Sequence, residues 1–218
     1  MLGPDGRAEV RLVLAVSLDG RLAPAEGGAA QLGGPGDRRV LEEALAWADA
    51  CLIGARTLRL HGTTCVIRDP GLLEQRSAEQ RSPQPHALVV SRSAKFEAGL
   101  RFFQQPLQRW LLTPSATPAA PPGFEQIRWL QSWPALLQGL AAEGLQRIVL
   151  LGGAALAAQL LELQLVDELQ LTLVPRLLGG AHTWLPESLA LAPNAWRLSE
   201  HRPLEGEEFL LRYRRIRA

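Results

Sequence analysis

The chain has 218 residues, 47% of them apolar and 21% charged, which is the balance of a globular protein and excludes a disordered one. Its formal net charge of +1 supplies no field to gather nucleic acid or an anionic membrane, so neither is an expected partner. Two cysteines, Cys51 and Cys65, are too few for a disulfide framework or a zinc site, and no metal is expected.

No basic-then-apolar leader opens the chain, and its longest apolar run is too short to span a bilayer. A single domain covering residues 1–218, in the cytoplasm, is the expectation.

Glu9–Ser17 (EVRLVLAVS) reads as a strand buried on both faces, with Asp19-Gly20 as the turn after it. The Gly-, Ala- and Pro-rich segment 23–36 reads as a long loop. Asp37 is placed to cap a helix running to about Ala48, with Val40, Leu41, Ala44, Leu45 and Ala48 on one face. Ala50–Gly54 is a short buried strand, and Arg56–Leu60 begins a helical turn. Segment 63–85 is irregular apart from a short helix around Leu72–Gln80. Strands follow at His86–Ser91 and Arg109–Thr113, then a proline-dense surface loop at Pro114–Pro122.

Glu125–Leu130 is a strand, Ser132–Glu143 a helix and Arg147–Leu151 a strand. Gly152-Gly153 then leads at once into a helix over Ala154–Leu161. Glu168–Val174, whose LQLTL core alternates with one buried face, and Glu207–Arg215 are the closing strands. Strands alternating with helices, followed by two strands, indicate an α/β sheet that is mainly parallel and flanked by helices. Antiparallel pairing is expected from the C-terminal strands.

Three strand ends carry the chemistry. Gly54-Ala55-Arg56-Thr57 offers a guanidinium and a hydroxyl, and Ser91-Arg92-Ser93 offers a guanidinium between two hydroxyls. Gly152-Gly153 opens a helix, so it is either a plain tight connection or an anion site made of backbone N–H groups. In an open α/β sheet ligands gather beyond the carboxyl ends of the strands, so the three clusters suit one dinucleotide: N–H groups for the pyrophosphate, Arg with Ser/Thr for a ribose 2′-phosphate. The Rossmann glycine fingerprint, the P-loop and zinc-hydrolase motifs are all absent.

Taken in order, Ser17-Leu18-Asp19-Gly20-Arg21-Leu22-Ala23, Ile53-Gly54-x-x-Thr57, Val89-Val90-Ser91-Arg92, Leu150-x-Gly152-Gly153, Val166-Asp167-Glu168 and Pro175-Arg176-Leu177-Leu178-Gly179-Gly180 resemble one family. It is the riboflavin-biosynthesis reductase family, the reductase half of the bacterial deaminase–reductase, with the dihydrofolate-reductase-like fold. The resemblance runs from about residue 9 to 215. It implies an NADPH-dependent reductase that turns the ribosylamino side chain of a phosphorylated pyrimidine into a ribitylamino chain.

On these motifs the resemblance implies that Thr57, Ser91, Arg92, Gly152 and Gly153 hold the cofactor, with Arg56 beside them. Asp19 falls on the nicotinamide or substrate side. His61 lies in the segment that replaces the family's Asp-Asp-Pro and is a candidate substrate contact. The strand at 169–173, with Pro175 and Gly179-Gly180, resembles the family's dimer-forming region and implies a homodimer. Three positions depart from the family pattern: Leu151 stands where a Glu is common, Arg59–Thr64 where Asp-Asp-Pro is common, and Val13 where a Lys is common. The cofactor side is therefore kept better than the substrate side, and no residue is singled out as catalytic. The same fold reducing another substrate, a dihydrofolate or a small carbonyl compound, and a non-catalytic dinucleotide-binding homologue are the alternatives.

Overall fold

The structure is a computed structural model that describes residues 3–28, 31–93, 95–115, 121–186, 189, 191–192 and 195–217. The middle of the proline-dense loop expected at Pro114–Pro122 lies outside the described residues. The described residues form nine strands and five α-helices, and the strands pair mainly in parallel, as expected. The chain comprises two compact units, Met1–Glu9 with Glu42–Leu150, and Val10–Leu41 with Leu151–Ala218.

In the first unit β2 (Ala50–Gly54) pairs in parallel with β3 (His86–Val90) and β6 (Arg147–Leu150), and β3–β4 (Arg109–Thr113) and β4–β5 (Gln126–Trp129) extend the parallel sheet. In a parallel sheet covered on both faces every residue type must be apolar, and the runs ACLI, ALVV and IVL are. Alternate residues Ile53, Ala87, Val89 and Leu111 meet Leu58, Phe102, Leu107 and Phe124 in one buried cluster. The helices of this unit are α2 (Ala55–His61), α3 (Pro70–Ala78) and α4 (Trp133–Ala142). Asp69 caps α3 through Leu72 N at 3.0 Å with Pro70 at its first position, so this helix starts two residues before the expected one. Ser132 caps α4 as its sequence suggests.

In the second unit β1 (Glu9–Ser17) pairs in parallel with β7 (Glu168–Val174), and β9 (Phe209–Ile216) runs antiparallel to β7 and to β8 (Ala195–Pro203). The expected C-terminal antiparallel pairing is present. Strand β8 is an addition: AWRLSEHRP carries no strand-like alternation because the strand pairs on one side only and is mostly exposed.

Two expectations are reversed here. The hydropathy of LQLTL points its leucines inward, yet Glu168, Gln170 and Thr172 are the most deeply buried; of the leucines only Leu169 is buried, while Leu171 and Leu173 are half-exposed. Glu168, 1% exposed, lies among Arg11 (2.8 Å), Arg212 (3.1 Å) and Arg214 (3.3 Å), and Gln170 donates to Val40 O at 3.0 Å. Charge pairing and hydrogen bonding override the apolar pattern.

The second reversal concerns Asp37. Helix α1 (Pro35–Trp47) starts two residues before it, so Asp37 stands in the first turn and caps nothing. Glu208 supplies the cap from 171 positions away in sequence, accepting from Gly34 N at 2.5 Å and Asp37 N at 2.9 Å. Helix α5 (Ala154–Glu162) completes this unit.

Candidate functional site

In the first unit the parallel register sets Gly54 opposite Val90. Residues leaving β2 and β3 therefore emerge side by side at the carboxyl edge of the sheet, and Arg56 and Thr57 are brought to the same edge as Ser91 and Arg92. Ala55 and Leu58 turn into the core, which leaves Arg56 exposed and Thr57 half-buried. Ser91 is buried, and its hydroxyl donates to Ser93 O at 2.6 Å while accepting from Ser93 N at 3.3 Å. Arg92 is exposed, and its carbonyl accepts from Ser115 Oγ at 3.2 Å. Neither the Arg56 nor the Arg92 guanidinium has a hydrogen-bond or ion-pair partner among the described residues. Two exposed, unpaired guanidiniums on one sheet edge are free to receive an anion.

Arg59, on the same helix, is held instead. Its Nη2 donates to Lys95 O at 2.9 Å and its guanidinium lies 4.9 Å from the centre of the Phe96 ring. His61 is exposed one turn beyond Thr57, at the end of α2.

The second unit carries Asp19, Gly152 and Gly153. Asp19 Oδ1 accepts from Ser17 Oγ at 2.5 Å, and its carboxylate also accepts from Leu178 N at 3.1 Å and Gly179 N at 2.7 Å. The Ser17 hydroxyl foremost, then these backbone donors, hold the Asp19 carboxyl down at about 2. Further bonds join the same two segments: Leu18 N to Arg176 O, Arg21 Nε to Gly180 O, Leu22 N to His182 O and Trp184 N to Gly20 O. The S-L-D-G and P-x-x-x-G-G motifs follow β1 and β7 where Ser17 stands in register with Val174, and are thus two sides of one hydrogen-bonded assembly. Gly180 is confined to glycine, because its φ is +74° and a Cβ would stand 2.7 Å from Ala25 Cα.

Gly152 has φ +86°, a backbone conformation side chains rarely adopt. The Gly152–Gly153 peptide is cis. Gly153 is the N-cap of α5 with no side-chain hydrogen bond, so the helix start offers backbone N–H groups without a competing carboxylate or hydroxyl. Of the residues expected at the site, Arg56, Thr57, His61, Ser91 and Arg92 belong to one unit, and Asp19, Gly152 and Gly153 to the other.

Two features near these segments escape a sequence reading. Arg21 holds Gly180 O and Asp19 O, and its position inside the S-L-D-G-R segment was the available signal. Trp129 is 61% exposed, although a tryptophan in a strand is ordinarily core, and nothing in the sequence separates it from Trp110 and Trp133, which are buried.

The family described as the RibD C-terminal domain matches residues 8–207. Among curated proteins the chain is similar to the 2,5-diamino-6-ribosylamino-4(3H)-pyrimidinone 5′-phosphate reductase of Archaeoglobus fulgidus, with 23% identity over 80% of this chain and 83% of that protein. It is also similar to the riboflavin biosynthesis protein RibD of Escherichia coli, with 29% identity over 78% of this chain but 49% of that longer protein. Among solved structures, a pyrimidine reductase-like protein from Corynebacterium diphtheriae superposes with a TM-score of 0.79 at 21% identity, covering 97% of this chain and 93% of the other. The dihydrofolate reductase of Enterococcus faecalis, solved with NADP(H), shares the fold at a TM-score of 0.54 and 13% identity, covering 95% and 96%.

Proposed function

This chain belongs to the RibD C-terminal domain family, and on that premise we propose that it is an NADPH-dependent reductase acting on a phosphorylated ribosylamino-pyrimidine. The observation that carries the reading is the paired carboxyl edge of β2 and β3, which presents Arg56 and Arg92, without a partner among the described residues, beside Thr57 and Ser91. Such an edge suits the 2′-phosphate that distinguishes NADPH from NADH. Gly152, at a φ of +86°, and the uncapped start of α5 suit the pyrophosphate.

When bound, NADPH supplies a hydride for the imine carbon of the ring-opened sugar. The chain's own part is to bind and orient. In the first unit Arg56, Arg92 and Thr57 suit the phosphate of the adenosine end, on an edge that Ser91 shapes; in the second, Gly152-Gly153 leave the backbone open to a diphosphate. Asp19 and His61 belong to the substrate side, Asp19 through the 176–180 segment that its carboxylate holds.

The chain works as one reductase domain, cytoplasmic and homodimeric. Support for the dimer comes from the half-exposed Leu171, Leu173, Leu211 and Tyr213 and the exposed Leu198, which share one face of β7, β9 and β8. No helix among the described residues is long and apolar enough to cross a membrane. A second reading, the same chemistry on another substrate, is favoured by Leu151 where the family resemblance leads one to expect a carboxylate.

Complementation separates the two. Expression in a reductase-deficient riboflavin auxotroph is expected to restore growth without riboflavin. Failure with soluble protein that binds NADPH would overturn the pyrimidine substrate and leave the second reading.

A further inference from the structure

We propose that Trp129 is the stacking platform for the adenine ring of the dinucleotide, an assignment that rests on the NADPH reading above. Trp129 is the last residue of β5 and stands in register with Thr113 of β4. It is 61% exposed, yet its Nε1–H donates to Pro114 O at 3.2 Å, so the indole is anchored while its surface meets solvent. One residue beyond Pro114, Ser115 Oγ donates to Arg92 O at 3.2 Å. Arg92, Ser115, Pro114 and Trp129 therefore follow one another along the carboxyl ends of β3, β4 and β5.

Neighbouring strands lie 4.7–4.9 Å apart, which puts β5 only about 10 Å from β3. The 2′-phosphate and the adenine hang from the same ribose, so a phosphate held by Arg92 brings the base within reach of this edge. The occupant must be flat, apolar on its faces and tied to an anion, and an adenine nucleotide meets all three conditions. A groove of about 220 Å³ adjoins the indole, lined by Trp129, Gln131, Ser132 and Ala135 and by the Arg128–Glu143 ion pair. Gln131 presents both a donor and acceptors, which the mixed edge of adenine requires.

The test compares the protein with W129A and W129F, using calorimetry and tryptophan fluorescence with NADPH and with 2′,5′-ADP, the adenine half of the cofactor. W129A is expected to weaken both ligands by about tenfold or more, and W129F to stay within about threefold of the parent, because a phenyl ring still stacks. Quenching by 2′,5′-ADP is expected to shrink in W129F although binding persists, and melting temperatures to stay unchanged. Equal affinity of the parent and W129A for 2′,5′-ADP would overturn the proposal, as would a change in oligomeric mass of W129A without a change in affinity. A parent protein that binds neither ligand would overturn the NADPH reading itself.

Discussion

On the NADPH reading, cofactor choice turns on Arg56 and Arg92, two side chains left exposed on the sheet edge. Arg59 is tied to Lys95 O and the Phe96 ring, whereas Arg56 and Arg92 have no partner among the described residues. An arginine left unpaired on a sheet edge keeps its five donors for a ligand. Arg92→Ala is expected to weaken NADPH roughly ten- to a hundredfold, the worth of a charge-assisted contact, and to leave NADH nearly unchanged. Dissociation constants for the two cofactors check this, and equal loss for both would remove Arg92 from the 2′-phosphate. Ser91 differs from its neighbour, since its hydroxyl already closes the turn to Ser93. Its contribution is to shape the edge on which Arg92 stands.

At the scale of elements, the helix ends decide what is available to a ligand. Helix α1 has both ends occupied. Glu208 takes its first N–H groups, and Arg76 and Arg81 take its last carbonyls, Arg76 reaching Ala46 O at 2.8 Å and Ala48 O at 2.7 Å. Burial, with Arg81 nearby, pulls the Arg76 guanidinium down to about 10. Helix α5 is the contrast, because Gly153 caps it with no side chain.

Gly153→Asp tests whether that open end is used. Aspartate is a favoured N-cap and Gly153 has an extended backbone at φ −79°, so the fold should hold or gain slightly. The new carboxylate would occupy the anion's place and repel it. Thermal melting is expected to be unchanged or higher, while NADPH binding disappears. Retained binding would take α5 out of the site.

At the scale of the molecule, residues far apart in sequence close the second unit, and two carboxyls give it opposite responses to pH. Burial first, then the charge of Glu208, raises the Asp37 carboxyl above its ordinary 3.8, against the Thr172 hydroxyl that lowers it. A raised carboxyl is protonated more readily folded than unfolded, so its contribution is present below the ordinary value and is lost as pH rises through the folded one. Asp19, held at about 2, works the other way: its contribution is present above 3.8 and is lost as pH falls through about 2. Asp37→Asn is accordingly expected to be more stable than the parent at neutral pH, with the difference shrinking as pH falls into the carboxylate range. Denaturant unfolding at several pH values measures it, and a difference that does not change with pH would remove the buried charge as its cause.

Strands β1, β2 and β4 fall on the residues their apolar runs mark, because burial in a sheet demands apolar side chains of the local chain alone. The order of the motifs, and with it the family, was equally legible, since turns and glycine-dependent backbone are local requirements. Strand β8 was not, because a half-exposed edge strand draws its stability from a partner and not from its own pattern. Neither was the cap of α1, which comes from Glu208, nor the inward-facing Glu168, which needs Arg11, Arg212 and Arg214 around it. Which arginines stay unpaired and which tryptophan meets solvent depended in the same way on neighbours that only folding assembles. Local chain chemistry sets where the segments begin and end, whereas contacts between distant residues select which polar groups are spent on holding the protein together and which are left for a ligand.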